Sequence, residues 1–226
     1  MRFTFITIFP EFCQSAMSYG VIGRGVEQGR LACRSVDIRS FALDRYGSVD
    51  DAPYGGGPGM VMMAEPIVKA VESLELKPKH KIVLTSPAGR LFDQSVAAEF
   101  AGLDEIVFIC GRYEGVDERV ISCLGAEEFS IGDFVMSGGE LAAAVMADSV
   151  GRLLDGVLGD SESSREESFS IEGKGLEYPH YTRPREFRGH CVPPVLLEGN
   201  HGAIRDWRMQ QSLERTRSRR PDLICA

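Results

Sequence analysis

Three short segments combine glycine with small or polar residues directly after an apolar run. They are Ser86-Pro87-Ala88-Gly89, Gly111-Arg112-Tyr113-Glu114-Gly115, and the stretch from Ile131-Gly132 to Gly138-Gly139. Glycine lets backbone N–H and C=O groups come close to a ligand because no Cβ intervenes. Three such loops at one sheet edge would make a pocket lined largely by main chain, in the crevice outside the strands' carboxyl ends where open parallel sheets take their ligands. Each loop alone reads equally well as a tight turn; their recurrence is what points to a site.

The chemistry of that site is bounded by what is missing. The run from Pro53 to Gly59, PYGGGPG, lacks the Lys-Ser/Thr of a phosphate-cradling P-loop. Gly23-Arg24-Gly25 does not closely follow a strand, and no G-x-G-x-x-G occurs, which disfavours a dinucleotide-dependent hydride transfer. His180, His190 and His201 fit no zinc-ligand spacing. Six cysteines without a C-x-x-C pair argue against a zinc ribbon or a disulfide framework, and for reduced thiols in a cytoplasm. Met60, Met62 and Met63 read as core filling, and Trp207 as packing.

The elements that must position the loops follow from periodicity. Strands are expected at 2–9, 31–41, 82–85 (broken by Ser86-Pro87) and 106–110, with EFSIGDF (128–134) strand-like. Helical patterns occupy 10–18, 21–29, 65–74, 93–101, 117–123 and about 140–154. Strands alternating with helices imply βαβ units and a parallel sheet. Residues 159–176 are Ser/Glu-rich without an apolar period and read as a linker, and a small helical region follows, patterned near 200–217. The expected organisation is an α/β domain over 1–159, a flexible linker over 160–176 and a small helical C-terminal domain over 177–226.

The 226 residues carry a net charge of −8. Residues 181–226 hold nine arginines against five carboxylates, a local +4, which leaves −12 for residues 1–180. An acidic body with an Arg-rich tail is a poor match for a general nucleic-acid binder and suits an enzyme that grips phosphates in one place. No apolar run approaches the roughly 18 residues a membrane-spanning helix needs. The N-terminal MRFTFITIFPEF reads as a first strand rather than a signal peptide.

Six segments, in order, resemble the bacterial tRNA (guanine-N1)-methyltransferase family: YGGGPGM (54–60), CGRYEGVDERV (110–120), SIGDFVMSGGE (130–140), GVLGD (156–160), PHYTRP (179–184), and the tail from Trp207-Arg208 to RTRSRRPDL (215–223). The resemblance spans the whole chain. It implies the SPOUT fold, a parallel α/β sheet with a deep trefoil knot, a feature that pattern rules would not anticipate. It further implies S-adenosyl-L-methionine bound in the knot, methylation at N1 of guanosine 37 of tRNA, a homodimer with shared active sites, and a dependence on magnesium.

Carried over position by position, the resemblance implies a cofactor pocket of Thr85, Ser86, Pro87 and Gly89; Gly111, Tyr113, Glu114 and Gly115; Ser130, Ile131, Gly132, Asp133, Phe134, Val135 and Met136; and Gly138 and Gly139. The family's arginine before GVLG falls on Arg152. Its general-base aspartate is replaced here by Glu167, and a second aspartate, before PHYTRP, by Glu177 in the cofactor region. Arg183, Arg185, Arg205, Arg208, Arg215, Arg217, Arg219 and Arg220 would contact tRNA phosphates. The implied roles are chemically coherent. N1 of guanine must lose a proton to become a nucleophile, which a carboxylate can accept, and a guanidinium can stabilise the charge developing on O6.

Two other readings stand beside this one. A SPOUT methyltransferase acting on another RNA site would share the loops. A catalytically silent RNA-binding module would keep the fold, and the glutamates at 167 and 177 are the features that favour it.

Overall fold

The computed structural model describes residues 1–158, 167–169 and 175–224. The chain divides into two units, Met1–Gly159 and Asp160–Ala226. In the first, β1 (Arg2–Thr7) leads through α1 (Pro10–Ala16) and α2 (Gly20–Glu27) to β2 (Ala32–Asp37). A two-stranded ribbon, β3 (Asp50–Asp51) with β4 (Val61–Met62), brackets the glycine-rich run and precedes α3 (Ala64–Glu72). Then come β5 (His80–Leu91), α4 (Gln94–Ala101), β6 (Glu105–Ile109), α5 (Arg119–Leu124), β7 (Glu127–Ser130) and α6 (Glu140–Gly151).

Five strands form one parallel sheet in the order β2-β1-β6-β5-β7. The central strands are apolar on both faces, as a sheet covered by helices on each side requires, and alternate residues feed two cores. Phe3, Phe5, Val83, Ile106 and Phe108 enter one, with α1, α2, α4 and α6. Ile6, Ile82, Leu84, Val107 and Ile109 enter the other, with α3 and α5. The first core is aromatic: Phe5 stacks on Phe108 at 5.5 Å and Phe100 meets Phe129 edge-on at 5.2 Å, geometries that add to simple burial.

Local chemistry sets the ends. Asp93 caps α4 by accepting from the N–H groups of Ser95 and Val96. Gly125 ends α5 in the left-handed conformation at φ 59°. The strand expected at 31–41 stops at Asp37, whose carboxylate accepts from Arg39 N–H and starts a 3-10 turn over Ile38–Phe41. The strand expected to break at Ser86-Pro87 instead runs on to Leu91. Its pairing with β7 shifts between Thr85 and Arg90, so the extra residues bulge out while the strand continues. At Gly89 a Cβ would stand 2.3 Å from the Glu128 carbonyl carbon, so only glycine admits that approach.

The second unit holds a hairpin of β8 (Glu186–Phe187) and β9 (His190–Cys191), which sequence patterning does not reveal, and the long helix α7 (His201–Arg219). Asn200 caps α7 by accepting from Ala203 N–H. Thr216 is the one buried residue on this helix. Of the expected linker, residues 160–166 and 170–174 lie outside the described residues. Among the described residues, no helix is long and apolar enough to cross a membrane.

Candidate active site

The bulge within β5 and the glycine loops after β6 and β7 converge around a cleft of about 440 Å³. Of the residues expected there, Thr85, Ser86, Pro87, Gly111, Tyr113, Glu114, Gly115, Ser130, Ile131, Gly132, Phe134, Val135, Met136, Gly138 and Gly139 all line it. Gly89 and Asp133 are not among its lining residues, and Glu177 belongs to the other unit.

The loops meet at Gly139. Its N–H donates to Gly111 O at 2.8 Å, and a Cβ there would lie 1.9 Å from Thr85 Oγ1. Thr85 Oγ1 in turn donates to Ile109 O at 3.2 Å. One residue without a side chain thus lets three chain segments touch.

Charge at the cleft is arranged by a pair drawn from two of the quoted segments. Arg112 reaches Glu140, the first residue of α6, with Nε and a terminal nitrogen at 2.9 and 2.8 Å from Oε2. Its other terminal nitrogen donates to Ser137 O at 3.0 Å. Thr7 Oγ1 donates to Glu140 Oε1 at 2.7 Å, and Glu140 is 1% exposed. With Arg112 matched in this way, the remaining charged lining residues are Glu114, Glu118 and Glu128. A cleft edged by three carboxylates favours a cation.

The glycine-rich run supplies a wall. Glu114 N–H donates to Met60 O at 3.0 Å, and Met62 N–H to Gly115 O at 2.9 Å, while Gly59 abuts the Glu114 side chain. Burial, reinforced by the Asp50 carboxylate and a hydrogen bond to it, pushes the Tyr113 phenol above its ordinary value.

The whole chain, residues 1–226, matches the family model described as tRNA (Guanine-1)-methyltransferase TrmD. The tRNA (guanine-N(1)-)-methyltransferase of Geobacter metallireducens is 52% identical over 225 residues, covering 99% of this chain and 91% of the relative. That of Moorella thermoacetica is 52% identical over 227 residues, covering 99% and 90%, and that of Neisseria meningitidis serogroup C 49% over 221, covering 97% and 88%. The chain belongs to the TrmD family of tRNA (guanine-N1)-methyltransferases.

In this methyltransferase Arg152 caps the C-terminus of α6, half-buried, its N–H donating to Asp148 O at 3.0 Å. Glu167 is half-buried in the C-terminal unit. Glu177 pairs with His180 at 2.8 Å, and its N–H donates to Ser168 Oγ at 3.0 Å. Arg183, Arg185, Arg205, Arg217, Arg219 and Arg220 are exposed. Arg208 and Arg215 are half-buried, and Arg208 lies over the Tyr178 ring at 4.6 Å. Trp207 is half-buried against Tyr181 at 6.3 Å between ring centroids.

Sequence reasoning missed Arg112, Glu118, Glu128 and Glu140. Arg112 and Glu140 lie within quoted motifs, so the residue types were visible. Their pairing across 28 positions leaves no periodic trace.

Proposed function

We propose that this tRNA (guanine-N1)-methyltransferase acts on guanosine 37 of tRNA, with S-adenosyl-L-methionine held in the cleft of the N-terminal unit. The observation that carries the assignment of the cleft is the convergence of three main-chain-lined loops beneath an acidic rim. The residues fit the group. Main chain at Gly111 and Gly138, with no Cβ to intervene, suits the edges of a purine, and Ile131, Phe134, Val135 and Met136 offer it apolar contact. Glu114, Glu118 and Glu128 complement a sulfonium and an ammonium. The bound cofactor supplies an already activated methyl group, so the protein's task is to orient the target and to handle a proton.

In the proposed mechanism Glu167 accepts the N1 proton of guanine as the ring nitrogen becomes nucleophilic. Arg152 faces the negative charge that develops toward O6. Glutamate is one methylene longer than the aspartate that the family resemblance implies at this position, and it is an equally competent base. Exposed arginines of the C-terminal unit bind tRNA phosphates, and the target base leaves its stack to reach the cleft. Glu177 belongs to the same proposed constellation, and the deep knot of the SPOUT fold is proposed for the segments carrying the loops.

A homodimer is part of this reading. Leu141 and Val145, one turn apart on α6, are 53% and 49% exposed on a helix that is apolar on nearly every side. Such a helix calls for a covering partner, and a second copy of the chain fits. The division into a cofactor domain (1–159), a linker (160–176) and a tRNA-binding domain (177–226), and a cytoplasmic location, are likewise proposed. Among the described residues, no three His, Cys, Asp or Glu side chains converge as a metal site. A magnesium requirement is likewise proposed, since that ion is commonly held by one or two carboxylates together with waters and substrate groups.

The test is methyl transfer from labelled S-adenosylmethionine to a tRNA transcript with guanosines at positions 36 and 37, against a transcript altered at 37. Nucleoside mass spectrometry then maps the product. N1-methylguanosine formed only on the intact transcript is the expected result, and methylation of the altered transcript would overturn the site.

A further inference from the structure

We infer that Ser212 and Thr216 of α7 are positioning residues for the proposed general base Glu167, through a clamp on the backbone of Leu176. The inference rests on the reading of Glu167 just given. Within the C-terminal unit, Leu176 N–H donates to Thr216 Oγ1 at 2.8 Å. Ser212 Oγ donates to Leu176 O at 2.6 Å. Both polar groups of one peptide residue are therefore taken by hydroxyls one helical turn apart. The Thr216 hydroxyl donates its own proton to Ser212 O at 2.7 Å, which orients its lone pairs toward Leu176.

The match is geometric. Four residues of helix rise about 6 Å, and two residues of extended chain span about 6.6 Å. As α7 steps back from Ser212 to Arg208, the neighbouring segment steps forward from Leu176 to Tyr178, and the Arg208 guanidinium lies over the Tyr178 ring at 4.6 Å. A slip of one residue would lose the clamp and the ring contact together.

The clamped segment carries the Glu167 turn. Phe169 N–H donates to Gly175 O at 2.9 Å, and Glu177 N–H donates to Ser168 Oγ at 3.0 Å. Phe169 holds a left-handed φ of 69°, a conformation that costs a non-glycine residue energy and persists where its surroundings hold it. The Arg220 guanidinium, at the end of α7, lies 5.9 Å from the Phe169 ring centre. Two residues after Glu167, the chain is thus tied at two points to a segment that is itself tied to α7. Thr216 is 2% exposed, so its hydroxyl serves the clamp and not a tRNA phosphate. The helix that carries Arg205, Arg217 and Arg219 sets the register of the carboxylate.

The test uses the full-length enzyme. Thr216→Val keeps the shape and removes the hydroxyl that accepts from Leu176 N–H, Thr216→Ser restores it, and Ser212→Ala removes the hydroxyl that donates to Leu176 O and serves if the valine variant fails to fold. Thr216→Val is expected to lower the single-turnover rate by about 10- to 100-fold, the scale of an ångström-level misplacement. With S-adenosylmethionine saturating, tRNA affinity should stay within about twofold, and Thr216→Ser should recover the rate. Leu176 amide exchange should accelerate about tenfold in the valine variant. In a Glu167→Gln background the Thr216→Val effect should vanish, since the two act as one unit. A wild-type rate for Thr216→Val, unchanged Leu176 exchange, or an equal loss in the Glu167→Gln background would each overturn the inference. A wild-type rate for Glu167→Gln alone would instead overturn the assignment of the base, while the exchange data would still report on the clamp.

Discussion

The Arg112 guanidinium crosses from the β6 loop to the buried Glu140 carboxylate at the start of α6, closing the gap between two of the three loops that line the cleft. Glu140 is held on its other oxygen by Thr7, so the pair also ties the loops to the end of β1. Removing Glu140 leaves Arg112, whose side chain is 23% exposed, without its carboxylate, a loss below the about 3–5 kcal/mol of a fully buried pair. Glu140→Gln should therefore lower the urea midpoint markedly and weaken S-adenosylmethionine binding by calorimetry. An unchanged midpoint would mean that Arg112 finds another partner.

Gly139 stands where Thr85 and Gly111 leave no room for a methyl group. Overpacking of this kind costs about 1–3 kcal/mol. Gly139→Ala is expected to fold and to bind S-adenosylmethionine roughly 10- to 100-fold more weakly, measured by equilibrium titration. Wild-type affinity would show that the loops do not act as one cradle.

For the proposed base, Glu167→Gln removes the proton acceptor and should lose on the order of 100-fold or more in single-turnover rate. Glu167→Asp restores the family's residue and should keep substantial activity. Normal turnover by the glutamine variant would eliminate this carboxylate from the chemistry.

Glu105 lies at the amino end of β6, fully buried. Burial opposes its ionisation, yet hydrogen bonds from Arg2, from Thr4 at 2.8 Å and from Lys77 N–H at 3.1 Å outweigh that and bring its pKa down to about 2 from an ordinary 4.5. A depressed folded-state pKa means that the unfolded chain takes up the proton first as pH falls. This carboxylate's contribution is complete above about pH 4.5 and is lost between there and about pH 2. Denaturation midpoints measured from pH 7 down to pH 3 should fall for the wild type and fall less for Glu105→Gln, which should start lower.

Phosphate contacts release counterions, so tRNA affinity should drop steeply with salt. Arg217→Ala and Arg219→Ala, both at exposed positions near the end of α7, should each reduce the slope of log K against log salt by about one. Filter binding across a salt series reads this directly. A slope that does not change would remove the residue from the tRNA interface.

The amino-acid sequence by itself determined the alternation of strands and helices, the parallel sheet and the three glycine loops. These are local or periodic properties: Phe3 and Phe5 reveal a face by spacing, and the apolar run at 106–109 reveals a buried strand by composition. The segments quoted from Tyr54 to Leu223 also carried the family. Tertiary structure alone decided that β5 runs on past Pro87, that Arg112 answers Glu140 and that Thr216 holds Leu176 across 40 positions. Each depends on a polar group finding its partner only after the chain has folded back. A hydrogen bond between distant residues leaves no period in the sequence, because its energy depends on where the two groups meet and not on what lies between them.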